Sequence, residues 1–234
     1  MQQQLLLEII PSAQPTFENT VTGDNAEAIA AARSLVPGRA LYLWGTSGCG
    51  RTHVLKALAA AETASLFDAT SSDTDILAAA TGSRDPVTGG RLILVDDIHA
   101  MNELQQAAVF ALYNRWREVA AAKTAFALVV SGNRAPLMMD LREDLRTRLG
   151  WDLVYRLDPL SDQDKLSALE NYAQLIGLPL SHDVLQWMFS HYARDIRQLF
   201  ALVDALDRYS LSKHRSITVP LLRAMLSDRD FLQS

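Results

Sequence analysis

The sequence has little cysteine, no excess of positive charge and no long apolar run. Cys49 is the single cysteine among 234 residues, which excludes an intrachain disulfide framework and fits a reducing compartment. The apolar stretches fall short of the roughly 20 residues that a membrane helix needs. The N-terminal MQQQLLLEIIPS has no basic residues ahead of its short apolar stretch, so no signal peptide is expected. These absences predict a cytoplasmic protein that does not enter the membrane.

The balance of charge is acidic. The chain has 22 Lys and Arg against 27 Asp and Glu, a formal net charge of −5. An acidic chain gains little from releasing the counterions of nucleic-acid phosphates, so little direct DNA binding is expected. Hydrophobic residues make up 49% of the chain and charged residues 21%, which is enough apolar material for a core. The length suits one α/β domain with a small domain appended.

Strand and helix patterns alternate along the first two thirds of the chain. Buried strands are predicted at 40–44, 91–95, 125–130 and 154–157, and helices at 26–35, 52–62 and 103–119. This alternation is typical of a parallel sheet flanked by helices. We therefore expect an extended arm at 1–15 and an α/β base at 16–160.

The remainder of the chain carries helix patterns alone. They are predicted at 161–176, 183–192, 195–212 and 220–226. Ser161 and Asp164 have the spacing of a capping box, which marks the start of the first of these helices. Residues 161–234 are therefore expected to form an all-helical lid.

A glycine-rich segment follows the first predicted strand and opens a predicted helix. It reads Gly45-Thr46-Ser47-Gly48-Cys49-Gly50-Arg51-Thr52 and fits G-x-x-x-x-G-K-[ST], except that Arg51 replaces the lysine. Such a loop directs backbone N–H groups at phosphate oxygens, and the helix N-terminus adds positive potential. Thr52 can offer its hydroxyl to Mg²⁺. Because arginine is bulkier than lysine and planar, Arg51 can hold phosphate but crowds a γ-phosphate. Nucleotide binding is therefore predicted and hydrolysis is left open.

A second motif places two acids after an apolar strand. Leu92-Ile93-Leu94-Val95 is followed by Asp96 and Asp97. A carboxylate at the end of a buried strand is where phosphoryl-transfer proteins coordinate Mg²⁺. Asp96 is the preferred metal ligand, and Asp97 could polarise water. An acidic loop without a ligand is the alternative for this segment alone, and the neighbouring phosphate motif disfavours it.

In this order and spacing, the motifs resemble those of DnaA-type AAA+ domains from residue 16 to residue 226. Thr16-Phe17-Glu18-Asn19 resembles the segment that lies near the adenine, and Gly45 to His53 resembles the Walker A region. Val95-Asp96-Asp97-Ile98 is similar to Walker B, and Ser131-Gly132-Asn133-Arg134 to sensor 1. The segment 145–151, with Arg148, resembles the arginine-finger segment, and 195–199, with Arg197, resembles sensor 2.

Three features favour the Hda branch of this family over DnaA. Arg51 stands in place of the Walker lysine, and the sequence stops after the lid without a helix-turn-helix domain. The segment 4–9 resembles the peptide by which that branch docks on the sliding clamp, with Gln4, Leu5, Leu7 and Ile9 as anchors. Asp97 departs the other way, because an acidic pair is more typical of DnaA, and it leaves residual ATPase activity open.

The resemblance implies a regulator of replication initiation that limits re-initiation. Its partners would be DnaA and the β subunit sliding clamp of DNA polymerase III, and a homodimer or higher oligomer is left open. Arg148 would act in trans on ATP bound to DnaA and promote its hydrolysis. The nucleotide would be ADP or ATP, with ADP favoured and Mg²⁺ held through Thr52 and Asp96. The implied nucleotide-binding residues are Gly45, Gly48, Cys49, Gly50, Arg51, Thr52, His53, Asp96, Asp97, Asn133 and Arg197.

Other functions fit parts of the same pattern. An autonomous AAA+ ATPase, such as a helicase loader or an initiation factor, would use the same pocket, although Arg51 weighs against it. A P-loop kinase acting on a small molecule is disfavoured by the helical lid with its sensor-like arginines. Individual residues also have plainer interpretations. Arg148 could form a surface ion pair, Arg197 could face solvent, Asn133 could cap its loop, and the leucines of the arm could be incidental.

Overall fold

The computed structural model describes residues 14–82, 91–191 and 196–228. The chain divides into two compact units, one spanning Pro15–Leu160 and the other containing the chain from Ser161 onward. Within the described residues, no helix is both long enough and apolar enough to cross a membrane.

The first unit contains a five-stranded sheet with the order β2-β3-β4-β1-β5. All of its strand pairs are parallel. The strands are β1 (Ala40–Trp44), β2 (Ala64–Phe67), β3 (Leu92–Val95), β4 (Ala127–Gly132) and β5 (Leu153–Arg156). β3 and β4 are buried along their whole length, as expected for the central strands of a parallel sheet covered on both faces.

Helices flank this sheet. They are α1 (Ala26–Arg33), α2 (Arg51–Ala61), α3 (Asp73–Thr81), α4 (Glu103–Val119) and α5 (Glu143–Leu149). Successive residues of a strand point to opposite faces, and β1 follows this rule. Tyr42 enters the core cluster formed with α3, α4 and α5, whereas Leu41 and Leu43 enter the cluster formed with α1 and α2. The sheet therefore lies between two apolar layers.

The regular secondary structure in the described part of the second unit is all helical, and this unit has an apolar core of its own. Its helices are α6 (Asp162–Leu175), α7 (His182–His191), α8 (Ile196–Lys213) and α9 (Val219–Ser227). The predicted capping box is confirmed: the Ser161 hydroxyl accepts from the Asp164 N–H at 3.0 Å, and the Asp164 carboxylate accepts from the Ser161 N–H at 3.1 Å. The Thr218 hydroxyl caps α9 by accepting from the Leu221 N–H at 3.4 Å, without a reciprocal side-chain bond.

The predicted parallel sheet flanked by helices is confirmed, but three elements of this unit were not predicted from the sequence. β2 is an edge strand whose sequence, Ala-Ser-Leu-Phe, has only one fully buried side chain, so it lacks the continuous apolar run of β3. The helices α3 and α5 were also not predicted. The predicted strand at 125–130 was misplaced by two residues. β4 continues through Ser131 and Gly132, because these residues pair with Leu43 and Trp44 of β1.

Candidate functional site

The glycine-rich loop lies between the end of β1 and the start of α2. Gly48 and Gly50 have φ angles of 81° and 100°, which L-residues with a side chain rarely adopt. A Cβ at either position would meet open space, so the backbone conformation accounts for glycine at both sites. Gly50 is the N-cap of the eleven-residue α2 and makes no side-chain cap bond. This cradle, with the uncapped N-terminus of a helix, fits a phosphate group.

Gly45 is required by packing. A Cβ there would collide with the Leu157 carbonyl oxygen and would lie 2.7 Å from the Cys49 sulfur. Cys49 itself is buried. The loop therefore begins pressed against the segment that follows β5, and this contact fixes its first residue.

Arg51 folds back onto the protein. Its Nη1 donates to the carbonyl oxygens of Gly45 and Thr46, the second at 3.0 Å. Its Nε and Nη2 donate to the Asp97 carboxylate at 3.2 and 2.9 Å. Although it is charged, the residue is only 8% exposed. The guanidinium thus links the phosphate loop to the acids at the end of β3.

The two acids are fixed by Ser131 at the end of β4. The buried Asp96 carboxylate accepts from the Ser131 hydroxyl at 2.6 Å, and the Asp97 N–H donates to the same hydroxyl oxygen at 2.8 Å. Asp97 has a left-handed backbone, with φ 49°, a conformation that aspartate tolerates better than most residues. His99 Nδ1 lies 3.8 Å from the Asp97 carboxylate. One hydroxyl therefore orients both acids.

The sequence predicted a sensor 1 segment at 131–134 but no contact between Ser131 and the acids. The signal was available: three parallel strands end in polar or glycine-rich segments, and β4 lies between β1 and β3. Tyr42 on β1 also contacts this segment, because its hydroxyl donates to the Arg134 carbonyl oxygen at 2.8 Å. Gly132 leaves room for this contact, since a Cβ there would strike the Tyr42 hydroxyl. Asn133 follows as a half-buried residue.

His53 anchors the segment that precedes α1. Its Nε2 lies 3.0 Å from the Thr20 hydroxyl and 3.3 Å from the Thr16 carbonyl oxygen. The imidazole therefore joins the first turn of α2 to the segment 16–20. Asn25, another residue that the sequence analysis missed, exchanges two hydrogen bonds with the backbone of Asp158, at 2.9 and 2.7 Å.

Arg148 projects from α5 onto α4. Its Nε and Nη2 donate to the Asn114 side-chain oxygen at 3.1 and 2.6 Å, and its Nη1 donates to the Asp144 carbonyl oxygen at 3.2 Å. The guanidinium carbon lies 3.6 Å from the ring centroid of Phe110 and 4.8 Å from that of Trp151. Desolvation lowers the pKa of Arg148, Asp144 opposes this effect, and Arg117 adds to it. Arginine remains charged at neutral pH even so.

The structure thus places the phosphate loop, Arg51, Thr52, Asp96 and Asp97 at the carboxyl-end edge of the sheet. None of the described hydrogen bonds or ring contacts of Arg148 involves the phosphate loop. Arg197 falls in the first turn of α8, and its side chain lies outside the described part. The anchors Gln4, Leu5, Leu7 and Ile9 lie outside the described residues. Among the residues that the structure describes, no cluster of three or more histidines, cysteines or acids has a metal-binding arrangement.

Two family models match the chain. Residues 41–155 match the ATPase family associated with various cellular activities, and residues 162–226 match the lid domain of Hda. Together these ranges cover most of the chain.

Solved structures share the fold. Domain III of the replication initiation protein DnaA from Thermotoga maritima is 19% identical, with a TM-score of 0.66 over 96% of this chain and 100% of that one. DnaA from Aquifex aeolicus bound to AMPPCP is 18% identical, with a TM-score of 0.58 over 86% of this chain and 66% of that one. The branch migration motor RuvB from Thermotoga maritima is 17% identical, with a TM-score of 0.57 over 97% of this chain and 75% of that one.

The parallel sheet, the phosphate loop and the acids at the end of β3 define a P-loop protein of the AAA+ class. The helical unit defines the branch within that class more narrowly. The chain belongs to the Hda group of DnaA-related AAA+ proteins.

Proposed function

We propose that this chain binds an adenine nucleotide at its phosphate loop and promotes the hydrolysis of ATP bound to DnaA. The nucleotide is supported by the glycine cradle at the start of α2 and by the match to the AAA family. Thr52 and Asp96 supply the oxygen ligands that Mg²⁺ prefers. That ion would neutralise charge on the bound phosphates.

The arrangement of Arg148 is the observation that carries the trans-acting role. Three of its five N–H groups donate to protein acceptors. One further N–H group remains on Nη1 and one on Nη2. Two such groups match two phosphate oxygens. Because its described contacts do not involve this chain's own phosphate loop, Arg148 suits a nucleotide held by another protein. An arginine placed there neutralises charge that develops on the γ-phosphate in the transition state.

A reconstituted turnover assay tests the function. DnaA loaded with ATP is mixed with DNA-loaded sliding clamp, with and without this chain, and released phosphate is measured. We expect the complete mixture to hydrolyse ATP much faster than DnaA and clamp alone. Rapid hydrolysis by this chain in the absence of DnaA would instead favour an autonomous ATPase.

The N-terminal arm is proposed to dock on the sliding clamp. Gln4, Leu5, Leu7 and Ile9 provide one polar and three apolar anchors for a hydrophobic groove, a mode in which a short extended peptide binds through side-chain pockets. Deleting residues 1–10 is expected to abolish clamp binding in surface plasmon resonance and to leave the thermal unfolding midpoint unchanged. Unchanged clamp affinity after the deletion would exclude this role for the arm.

A further inference from the structure

The Arg51 guanidinium contacts both the phosphate loop and Asp97, the two parts of the site that flank the proposed nucleotide. On one side it is bonded to the carbonyl oxygens of Gly45 and Thr46, at the start of the phosphate loop. On the other side it forms an ion pair with Asp97, whose carboxylate oxygen lies 2.9 Å from Nη2. Arg51 is buried, and the Asp97 side chain is 37% exposed. This bridge, the Arg51–Asp97 latch, joins the loop after β1 to the acids after β3.

The latch joins the two elements between which P-loop proteins hold a third phosphate. In P-loop proteins the backbone of the loop holds the phosphates, while Mg²⁺ and the γ-phosphate lie between the loop and the acid at the end of the Walker B strand. The oxygen acceptors of Arg51 belong to Gly45, Thr46 and Asp97, so the latch leaves the backbone cradle at Gly48 and Gly50 to a diphosphate. We propose that the Arg51–Asp97 latch determines nucleotide selectivity: the closed latch accepts a nucleoside diphosphate, and Mg²⁺ with a triphosphate enters only when the latch opens.

The surroundings of Asp97 favour the closed latch. Its N–H is held by the Ser131 hydroxyl, which in turn donates to Asp96. The backbone of Asp97 is therefore fixed, and its carboxylate is presented to Arg51. Opening the latch would leave a buried guanidinium without its carboxylate, which is unfavourable in a poorly solvated site.

Arginine is the side chain that this bridge requires. A guanidinium has five N–H donors on a planar fork, so it bonds loop carbonyls on one edge and a carboxylate on the other. A lysine ammonium is a compact point charge and cannot make both sets of contacts in the same geometry. Asp97 would accordingly act as the counter-ion of Arg51 and not as the group that polarises water.

The inference rests on the proposed nucleotide pocket, and calorimetry separates the two. ADP, and ATP with Mg²⁺, are titrated separately into the full-length chain and into Asp97→Asn and Arg51→Lys. We expect the wild-type chain to prefer ADP. Asp97→Asn should tighten binding of Mg²⁺-ATP by about tenfold, roughly the effect of removing one strong charge-assisted contact. ADP affinity should change less than twofold. Arg51→Lys should likewise reduce the preference for ADP over Mg²⁺-ATP.

Asp144→Asn is the matched control. Asp144 pairs with Arg142 away from the loop, and its side chain is 34% exposed, close to that of Asp97. The control should leave both affinities at the wild-type values, and circular dichroism shows whether each variant is folded. An unchanged preference in Asp97→Asn, with ADP still binding, overturns the latch and leaves the proposed pocket intact. If the wild-type chain binds neither nucleotide at millimolar concentration, the pocket itself and the latch with it are wrong.

Discussion

At the scale of single residues, the site depends on groups that each serve two neighbours. Ser131 donates to Asp96 and accepts from the backbone of Asp97, so one hydroxyl sets the position of both acids. Arg51 joins the loop to Asp97. Neither role follows from the sequence pattern alone, because a motif gives the order of the residues along the chain but not the partners that they meet across the sheet.

Replacing Ser131 by alanine tests this arrangement. The variant loses a buried hydrogen bond to a carboxylate and leaves the Asp97 N–H without its acceptor, which should lower the free energy of unfolding by about 2 kcal/mol. It should also weaken the binding of Mg²⁺-ATP, because Asp96, the proposed metal ligand, is no longer oriented. Urea denaturation and calorimetry measure the two effects.

Ser190→Ala is the control for this prediction. Its hydroxyl donates to the Gln186 carbonyl oxygen on the exposed face of α7, and surface changes of this kind usually alter stability by less than about 0.5 kcal/mol. If Ser131→Ala unfolds at the same urea concentration as Ser190→Ala, the hydroxyl does not hold the acids in place.

At the scale of elements, the start of β1 is tied to the start of β5 by one carboxylate. Asp152 accepts from the Arg39 guanidinium at 2.6 and 2.8 Å and from the Ala40 N–H at 2.8 Å. These contacts, chiefly the bonds from Arg39, lower the pKa of Asp152. Arg39 and Asp152 lie just before β1 and β5, and β1 leads into the phosphate loop.

The contacts of Asp152 predict a pH dependence of stability. Because the pKa of Asp152 is lower in the folded than in the unfolded state, its contribution to stability is complete above the unfolded pKa. It is lost as pH falls through the folded value. Asp152→Asn should therefore reduce stability at pH 7 and flatten the decline in thermal midpoint between about pH 5 and pH 3. Asp162→Asn, at an exposed ion pair, should follow the wild-type profile. An unaltered pH profile of stability in Asp152→Asn would show that the Arg39–Asp152 pair contributes nothing to stability.

The contact between α4 and α5 positions Arg148. Asn114 on α4 accepts two of its N–H groups. Asn114→Ala should lower kcat for stimulated hydrolysis by about tenfold, since misplacing a catalytic group costs rate more than affinity. The half-saturating concentration of DnaA should stay the same. Gln106→Ala, on the same helix but bonded to Met101, should match wild type. A change in that concentration with kcat intact would mean that Asn114 contributes to docking instead.

Strong local signals allowed several elements to be predicted from the sequence. β1, the loop and α2 follow from an apolar run, glycines and a helix start, and α4 was predicted with its observed bounds. β2 and α5 were missed because β2 is a short, half-buried edge strand and α5 is a seven-residue helix with few apolar positions. The contacts of Arg148 were missed because Asn114 lies 34 residues away along the chain. Only the packing of α5 on α4 brings them together.

At the scale of the whole molecule, two units with separate cores follow each other along the chain. The first unit contains both the phosphate loop and Arg148, and the second matches the Hda lid. Arg148 has no described contact with the loop. In the proposed function they serve different nucleotides: the loop holds this chain's own, and Arg148 acts on that of DnaA.

The measurement that tests this account most directly is the stimulated hydrolysis of DnaA-bound ATP by Arg148 variants in the presence of DNA-loaded clamp. Arg148→Ala is predicted to retain nucleotide and clamp binding but to lose stimulation by roughly 10³-fold, the lower range for arginine fingers. Arg148→Lys should recover little, because a point charge cannot bond two oxygens as the guanidinium does. If Arg148→Ala stimulates hydrolysis as well as the wild-type chain, Arg148 is not the trans-acting group and the proposed function of its segment is wrong.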